Sequence, residues 1–379
     1  MHFRASLSAA LCFALATPSW AKVPHHVTDN ELSILAGAHV IYSWPKTVQA
    51  PDEIYDLVRE GVVGGLILFG ENVGNDTVDV LASLQEEYEA SPAGKVFKKY
   101  FGVNGPLFIN TDQEGGIVRR IKTAGPIESA KQTGASEDPA AAGWKAGQDA
   151  AAALIGAGFN GNLAPVLGIH RHEGDFLDYS QRSYGNNSAV VSAAATAFIR
   201  AQQAAGIPAT AKHFPGLGAA LHDQNTDLTA VTLNLSLEEI RSVDEVPYHF
   251  AIAAGVDLVM PSWAIYPAMD SLPAGLSKKW VTKELRGRLH FRGVTITDAL
   301  EAGSLKPFGD LPTLSVMASH AGIDMLLASE RNVTQGEVVR QAVVDALKTG
   351  HLDWQDFIAS TKRILALRRK LQSSRENMG

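Results

Sequence analysis

Short runs of apolar and β-branched residues recur along the chain, each cut off by Gly, Pro or Asn and followed by a stretch with helical spacing. The runs fall near 38–43 (AHVIYS), 64–69 (GGLILF), 107–111 (LFINT), 160–167 (NGNLAPVL), 208–213 (PATAKH), 256–261 (VDLVMP), 293–298 (GVTITD) and 322–328 (GIDMLLA). They are mostly continuous rather than alternating, as expected of parallel strands covered on both faces. Helical patterns occupy 51–60, 77–90, 139–157, 188–204, 236–254, 277–289 and 311–320, with two more at 335–349 and 353–374. Ser236-Leu237-Glu238-Glu239 reads as a capping box that opens its helix, and Gly350 as the stop between the last two. Eight strands alternating with helices predict an α/β fold, a single-domain TIM (β/α)8 barrel over residues 22–379. An open doubly wound sheet is the alternative. No repeat, low-complexity tract or Pro/Ser-rich linker marks a second domain, so no C-terminal sandwich is expected to donate catalytic groups.

The first residues carry a different pattern. Met1-His2-Phe3-Arg4 is followed by an apolar run centred on Leu7 to Leu15, too short to span a bilayer, and by a small-x-small ending at Ser19 and Ala21. This predicts a signal peptide over residues 1–21 and a secreted or periplasmic protein. The single cysteine, Cys12, lies inside it, which leaves the mature chain without a disulfide framework or a cysteine-based metal site. The full chain has 33 basic and 40 acidic side chains, a net charge of −7, and cleavage would remove one arginine. That balance argues against nucleic acid and anionic membranes as partners, and no membrane span is expected.

In a barrel of this kind the chemistry sits at the C-terminal ends of the strands. The polar residues there are Glu71 and Asn72; Asp112, Gln113 and Glu114; Arg182 in the long loop after the fourth strand; Lys212 and His213; Ser262 and Trp263; Asp298; and Ser329 and Glu330. Gathered on one rim they form a cleft with both carboxylates and cations, which suits sugar hydroxyls gripped by charge-assisted hydrogen bonds. Asp298 ends the run Val294-Thr295-Ile296-Thr297 and would point into that rim. Taken alone, it could equally cap the following helix.

Across nearly the whole mature chain the sequence resembles glycoside hydrolase family 3, in its single-barrel β-N-acetylhexosaminidase branch. The resemblance is carried by TDQEGGIVRRI at 111–121, NLAPVL at 162–167, QRSYG at 181–185, AKHFPGLG at 211–218, AGVDLVMPSWAIYP at 254–267 and GVTITDALEAG at 293–303. It implies a retaining glycosidase that takes a terminal β-linked sugar, N-acetylglucosamine before glucose, with no metal or organic cofactor. By the same resemblance Asp298 matches the nucleophile that forms a covalent glycosyl-enzyme. Asp112, Arg182, Lys212 and His213 match the residues that hold the sugar.

The pattern breaks at the acid/base. In the hexosaminidase branch an Asp-x-His pair follows the Lys-His-Phe-Pro-Gly motif. Here the same count from Lys212 reaches Asp223-Gln224-Asn225, and a neutral amide cannot deliver a proton. His222 and Asp223 are the candidate replacements, with Asp227 just beyond; His222 titrates nearest neutrality. A second departure is Gly168, where the family often has an aspartate. Two other readings compete: a zinc hydrolase built on His170-Arg171-His172, and a sugar-binding barrel that has lost turnover. Asn-x-Ser/Thr sequons stand at Asn75, Asn186, Asn234 and Asn332.

Overall fold

The computed structural model describes residues 21–378, with side chains to 373; the predicted leader, apart from Ala21, and Cys12 lie outside the described residues. Eight parallel strands follow one another around a ring: β1 (Val40–Tyr42), β2 (Gly65–Ile67), β3 (Phe108–Thr111), β4 (Gly161–Asn162), β5 (Thr210–Phe214), β6 (Leu258–Pro261), β7 (Val294–Thr295) and β8 (Leu326–Leu327). β8 pairs with β1, and pairing then runs unbroken from β1 to β4 and from β5 to β7. Single parallel bridges close the two remaining seams, Val166 to Lys212 and Ile296 to Met325. The ring is a TIM barrel, and the open-sheet alternative falls because β1 and β8 are hydrogen-bonded neighbours. Every strand segment read from the sequence contributes one barrel strand, though the hydrogen-bonded core of each is shorter than its apolar run.

Alternation along the strands sorts the side chains. Val40 and Tyr42 pack outward against the helical layer, while Ile41, Ile67, Phe108, Met260 and Leu327 fill the interior. From the C-terminal helix Trp354–Met378, Ile364, Leu367 and Leu371 join this interior cluster. At the N-terminal end of the strands, the fully buried Asp324 takes Arg286 at 2.6 Å and Arg363 at 2.7 Å, and accepts from Ser360 at 2.7 Å. Burial pushes the Asp324 pKa up, but the two guanidinium groups outweigh it and hold the carboxyl below its ordinary value.

Most helices follow the sequence pattern, with two departures: the stretch 277–289 is π-helical over Lys279–Arg288, and 236–254 is broken. The stretch 236–254 is not a continuous α-helix. It divides into Leu237–Glu239, a π-helical turn Ile240–Asp244 and an α-helix Val246–Ala253. Pro247 explains the break, since it offers no N–H to the turn before it. A helix at Asp29–Gly37, absent from the pattern reading, is opened by a Thr28/Glu31 capping box.

Candidate active site

The motif Asp112-Gln113-Glu114-Gly115-Gly116 leaves β3 as a short antiparallel hairpin, Gln113–Gly115 paired with Val118–Arg119. Gly115 and Gly116 have φ of 118° and 54°, and a Cβ on Gly115 would come within 2.5 Å of the Glu128 carbonyl oxygen. Only glycine lets the hairpin turn this tightly against its neighbour. Gln113 holds the hairpin from beneath: its side chain accepts from the Ile121 N–H at 3.0 Å and donates to the Gly125 carbonyl at 2.7 Å. Asp112 and Glu114 are thereby fixed side by side at the barrel mouth.

Lys212, at the end of β5 and 2% exposed, lies between them, with Nζ at 2.8 Å from Asp112 Oδ1 and 2.7 Å from Glu114 Oε1. Arg182 meets Glu114 as a fork, Nε to Oε2 and Nη2 to Oε1, both at 2.8 Å. Arg120 approaches the other oxygen of Asp112 at 3.4 Å. Burial alone would neutralise these carboxyls. The cations around them win instead, so both stay ionised well below the usual carboxylate range. Lys212 and Arg182 are correspondingly held charged by Asp112 and Glu114 against the desolvation of burial.

Asp298 follows β7 and is differently placed. Its Oδ1 accepts the Ala299 N–H at 2.8 Å, while Oδ2 lies 3.6 Å from His213 Nε2. Burial, then Lys212 and Arg182, push the His213 pKa well down, so that ring is neutral. Asp298 thus has no cation in contact among the described residues. Burial and the charge of Asp227 raise its pKa to about 7. Trp263, buried behind it, donates Nε1–H to the Ala299 carbonyl at 2.9 Å and fixes the backbone on which Asp298 stands.

These groups line one cavity of about 300 Å3, at the small end of ligand sites. Asp112, Arg182, Lys212, His213 and Asp298, proposed from the sequence, all meet there, with Glu114, Arg120, Asp227, Glu301 and Arg331. His222 and Asp223 do not. His222 is exposed and lies edge-on to Tyr179, ring centres 4.2 Å apart, and Asp223 is exposed on the same loop.

The sequence matches the description "Glycosyl hydrolase family 3 N terminal domain" over residues 29–367. It is 51% identical over 345 residues to a secreted glycosyl hydrolase of Arthroderma benhamiae, covering 90% of this chain and 95% of that protein. The chain belongs to glycosyl hydrolase family 3. A β-hexosaminidase of Tolumonas auensis is 32% identical over 81% of this chain and 86% of its own length. Among solved structures, a family 3 β-N-acetylglucosaminidase from Paenibacillus superposes with a TM-score of 0.81 at 30% identity, over 90% of this chain. This chain spans 62% of that longer protein. A β-N-acetylhexosaminidase from Beutenbergia cavernae gives 0.76 at 26% identity, covering 90% and 99% of the two chains.

Within this family 3 barrel the other rim residues divide by task. Asn72 is structural, donating to the Pro45 and Thr47 carbonyls at 2.7 and 2.8 Å. Ser329 and Gln335 hold Glu301, at 2.6 and 2.9 Å, so that it walls the cavity. Arg120, Phe69, Glu301 and Arg331 join the cavity wall without a polar strand-end signal of their own, although Arg120 and Glu301 lie within the segments 111–121 and 293–303. Arg331 stacks on Phe69, 4.0 Å from the ring centre. A side chain at Gly168 would meet Leu177 Cδ1 at 2.3 Å, so this position has no room for the family's aspartate without movement. His170 faces Ser183 at 3.1 Å and Asp178 at 3.6 Å, while Arg171 reaches Asp244 at 2.6 Å. Among the described residues no group of three or more His, Cys, Asp or Glu side chains is placed to hold a metal ion.

Proposed function

We propose that this glycosidase is exported and removes terminal β-linked sugars with retention of configuration, N-acetylglucosamine in preference to glucose, through attack by Asp298. The supporting observation is the difference between Asp298 and its neighbours. Asp112 and Glu114 are saturated by cations, whereas Asp298 keeps one oxygen toward the cavity with only a neutral imidazole near it. A carboxylate without a counter-ion gains most from positive charge developing on an anomeric carbon, and is free to bond to it. Asp112, Arg182, Lys212 and His213 hold the sugar hydroxyls, with Glu114 keeping the two cations in place.

Preference for N-acetylglucosamine rests on the β-hexosaminidase relatives at 30–32% identity. Export rests on the signal-peptide pattern at 1–21 and on the secreted relative. No helix among the described residues is long and apolar enough to cross a membrane.

The test is a panel of nitrophenyl β-glycosides on wild type and Asp298→Asn, with a 2-fluoro glycoside as trap. The expected outcome is loss of turnover in Asp298→Asn and, in wild type, a covalent mass increase on the peptide bearing Asp298. Hydrolysis undiminished in Asp298→Asn would refute the assignment.

A further inference from the structure

Retaining hydrolysis requires a second group that gives a proton to the departing oxygen and then takes one from water. Asn225 stands where the family resemblance places a histidine and can do neither. Three titratable side chains share its loop: His222, Asp223 and Asp227. Only Asp227 lines the cavity that contains Asp298.

We infer that Asp227 is the proton donor and acceptor of this active site, and that Asn225 and Gly303 are the residues that position it. The inference rests on the glycosidase reading above. Asn225 nucleates the turn: its Oδ1 accepts the Asp227 N–H at 2.9 Å, and its carbonyl accepts from Leu228 and Thr229, both at 3.1 Å. The asparagine therefore serves the turn in place of proton transfer.

The turn is then fastened to the segment that leaves Asp298. Gly303 N–H donates to the Asp227 carbonyl at 2.8 Å, and Ser304 N–H to the Thr226 carbonyl at 3.2 Å. This close approach depends on the missing side chain, since a Cβ on Gly303 would fall 2.1 Å from the Leu228 carbonyl oxygen. Gly303 is five residues beyond Asp298, so the turn carrying Asp227 is tied to the segment that leaves Asp298, and both residues line the same cavity. The charge of Asp227 is felt at Asp298, whose pKa it helps to raise. The Asp227 carboxyl itself has no hydrogen-bond or ion-pair partner among the described residues, so it is free to engage a leaving group.

The step balances as follows. Asp298 Oδ2 bonds to the anomeric carbon while the glycosidic C–O bond breaks, its electron pair going to the oxygen, which takes the Asp227 proton. In the second half Asp227, now a carboxylate, takes a proton from water. The water oxygen bonds to the anomeric carbon and Asp298 departs as carboxylate.

The test uses the full-length enzyme, wild type and Asp227→Asn, Asp227→Ala, Asp223→Ala and His222→Ala, on 2,4-dinitrophenyl and methyl β-N-acetylglucosaminides and β-glucosides. Only main-chain atoms of Asp227 hold the turn, so Asp227→Asn is expected to fold and to match the wild-type thermal midpoint. Its turnover of methyl glycosides should fall about 10²- to 10⁴-fold. The dinitrophenyl substrates, whose leaving groups need no proton, should still give a burst, followed by slow release. Sodium azide should accelerate Asp227→Ala on these substrates and yield the β-glycosyl azide. An unchanged ratio of methyl to dinitrophenyl turnover in Asp227→Asn would overturn the inference. So would azide rescue confined to Asp223→Ala or His222→Ala. If wild type hydrolysed none of the glycosides, the functional reading would fall and this inference with it.

Discussion

Glu114 does not need to touch the sugar to decide whether the site works, and replacing it by glutamine makes that measurable. In the native site its two oxygens accept from Arg182 twice at 2.8 Å and lie 2.7 Å from Lys212 Nζ. Glutamine keeps the shape but offers one acceptor and one donor. Whichever way the amide is turned, an N–H faces an N–H of Arg182. At least one charge-assisted bond is lost, worth about 1.5–3 kcal/mol, and a cation is left without its counter-charge. Because the cavity admits water, the whole cost should fall below that of breaking a fully buried pair, and about 2–4 kcal/mol is expected. Thermal unfolding of Glu114→Gln should therefore show a Tm lower by roughly 3–5 °C, and KM should rise as Arg182 and Lys212 lose their anchor. The pH dependence is a stricter test. Burial raises the Glu114 pKa, but Arg182 and Lys212 overcome that and hold it below the ordinary 4.5. A carboxyl depressed in the folded state stabilises above its unfolded pKa, and that stabilisation is lost as pH falls through the folded value. The stability gap between wild type and Glu114→Gln should be full at pH 7 and close as the pH drops below about 4.5. A gap that is constant down to pH 3, or absent at pH 7, would show that Glu114 does not hold the two cations.

Three further outcomes are expected. Asp324→Asn should destabilise by about 3–5 kcal/mol, because Arg286 and Arg363 keep their charge without a buried partner; equilibrium denaturation reads the loss, and a changed KM would contradict its placement far from the site. Gly303→Ala should shift the turn that carries Asp227 and cost up to about 10²-fold in methyl glycoside turnover, with little loss on dinitrophenyl substrates; equal loss on both classes would place the damage elsewhere. In the free enzyme, kcat/KM for dinitrophenyl glycosides, which need only the nucleophile, should rise as pH rises through about 7, the value to which burial and the charge of Asp227 raise Asp298, as that carboxyl loses its proton; a flat profile from about pH 5 to 8 would contradict Asp298 as the attacking group.

The barrel and the charged residues gathered at its mouth were legible because each rests on a local signal. Parallel strands buried on both faces show as continuous apolar runs, and Asp112, Lys212 and Asp298 each end one. The residues that escaped depend on contacts distant in sequence. Glu301 becomes part of the wall only because Ser329 and Gln335 reach it from the β8 side, and Arg331, which follows β8, enters by stacking across β1 on Phe69, which follows β2. The loop at 222–229 illustrates the limit best. Spacing from Lys212 directs attention to Asp223 and His222, whereas the loop folds back through Asn225 and brings Asp227 inward. The pinning contact is to Gly303, 76 residues away in the chain. No periodicity encodes that pairing.

The same two carboxyls also set the character of the cavity as a whole. Its lining contains five acids, Asp112, Glu114, Asp227, Asp298 and Glu301, and four cations, Arg120, Arg182, Lys212 and Arg331, while His213 is neutral. Ionised throughout, the site would hold one excess negative charge. Burial and the charge of Asp227 raise the Asp298 pKa to about 7, so below that pH Asp298 carries a proton and the lining is electrically balanced. A balanced pocket of this size favours an uncharged ring bearing hydroxyl or amide groups, since a charged sugar would unbalance it with no free counter-ion in reach. In the proposed mechanism the charge developing at the anomeric carbon is met by Asp298, which has no cation in contact among the described residues. Because the charge of Asp227 helps to raise the Asp298 pKa, removing the Asp227 carboxyl should alter both the leaving-group dependence and the pH range of the enzyme together.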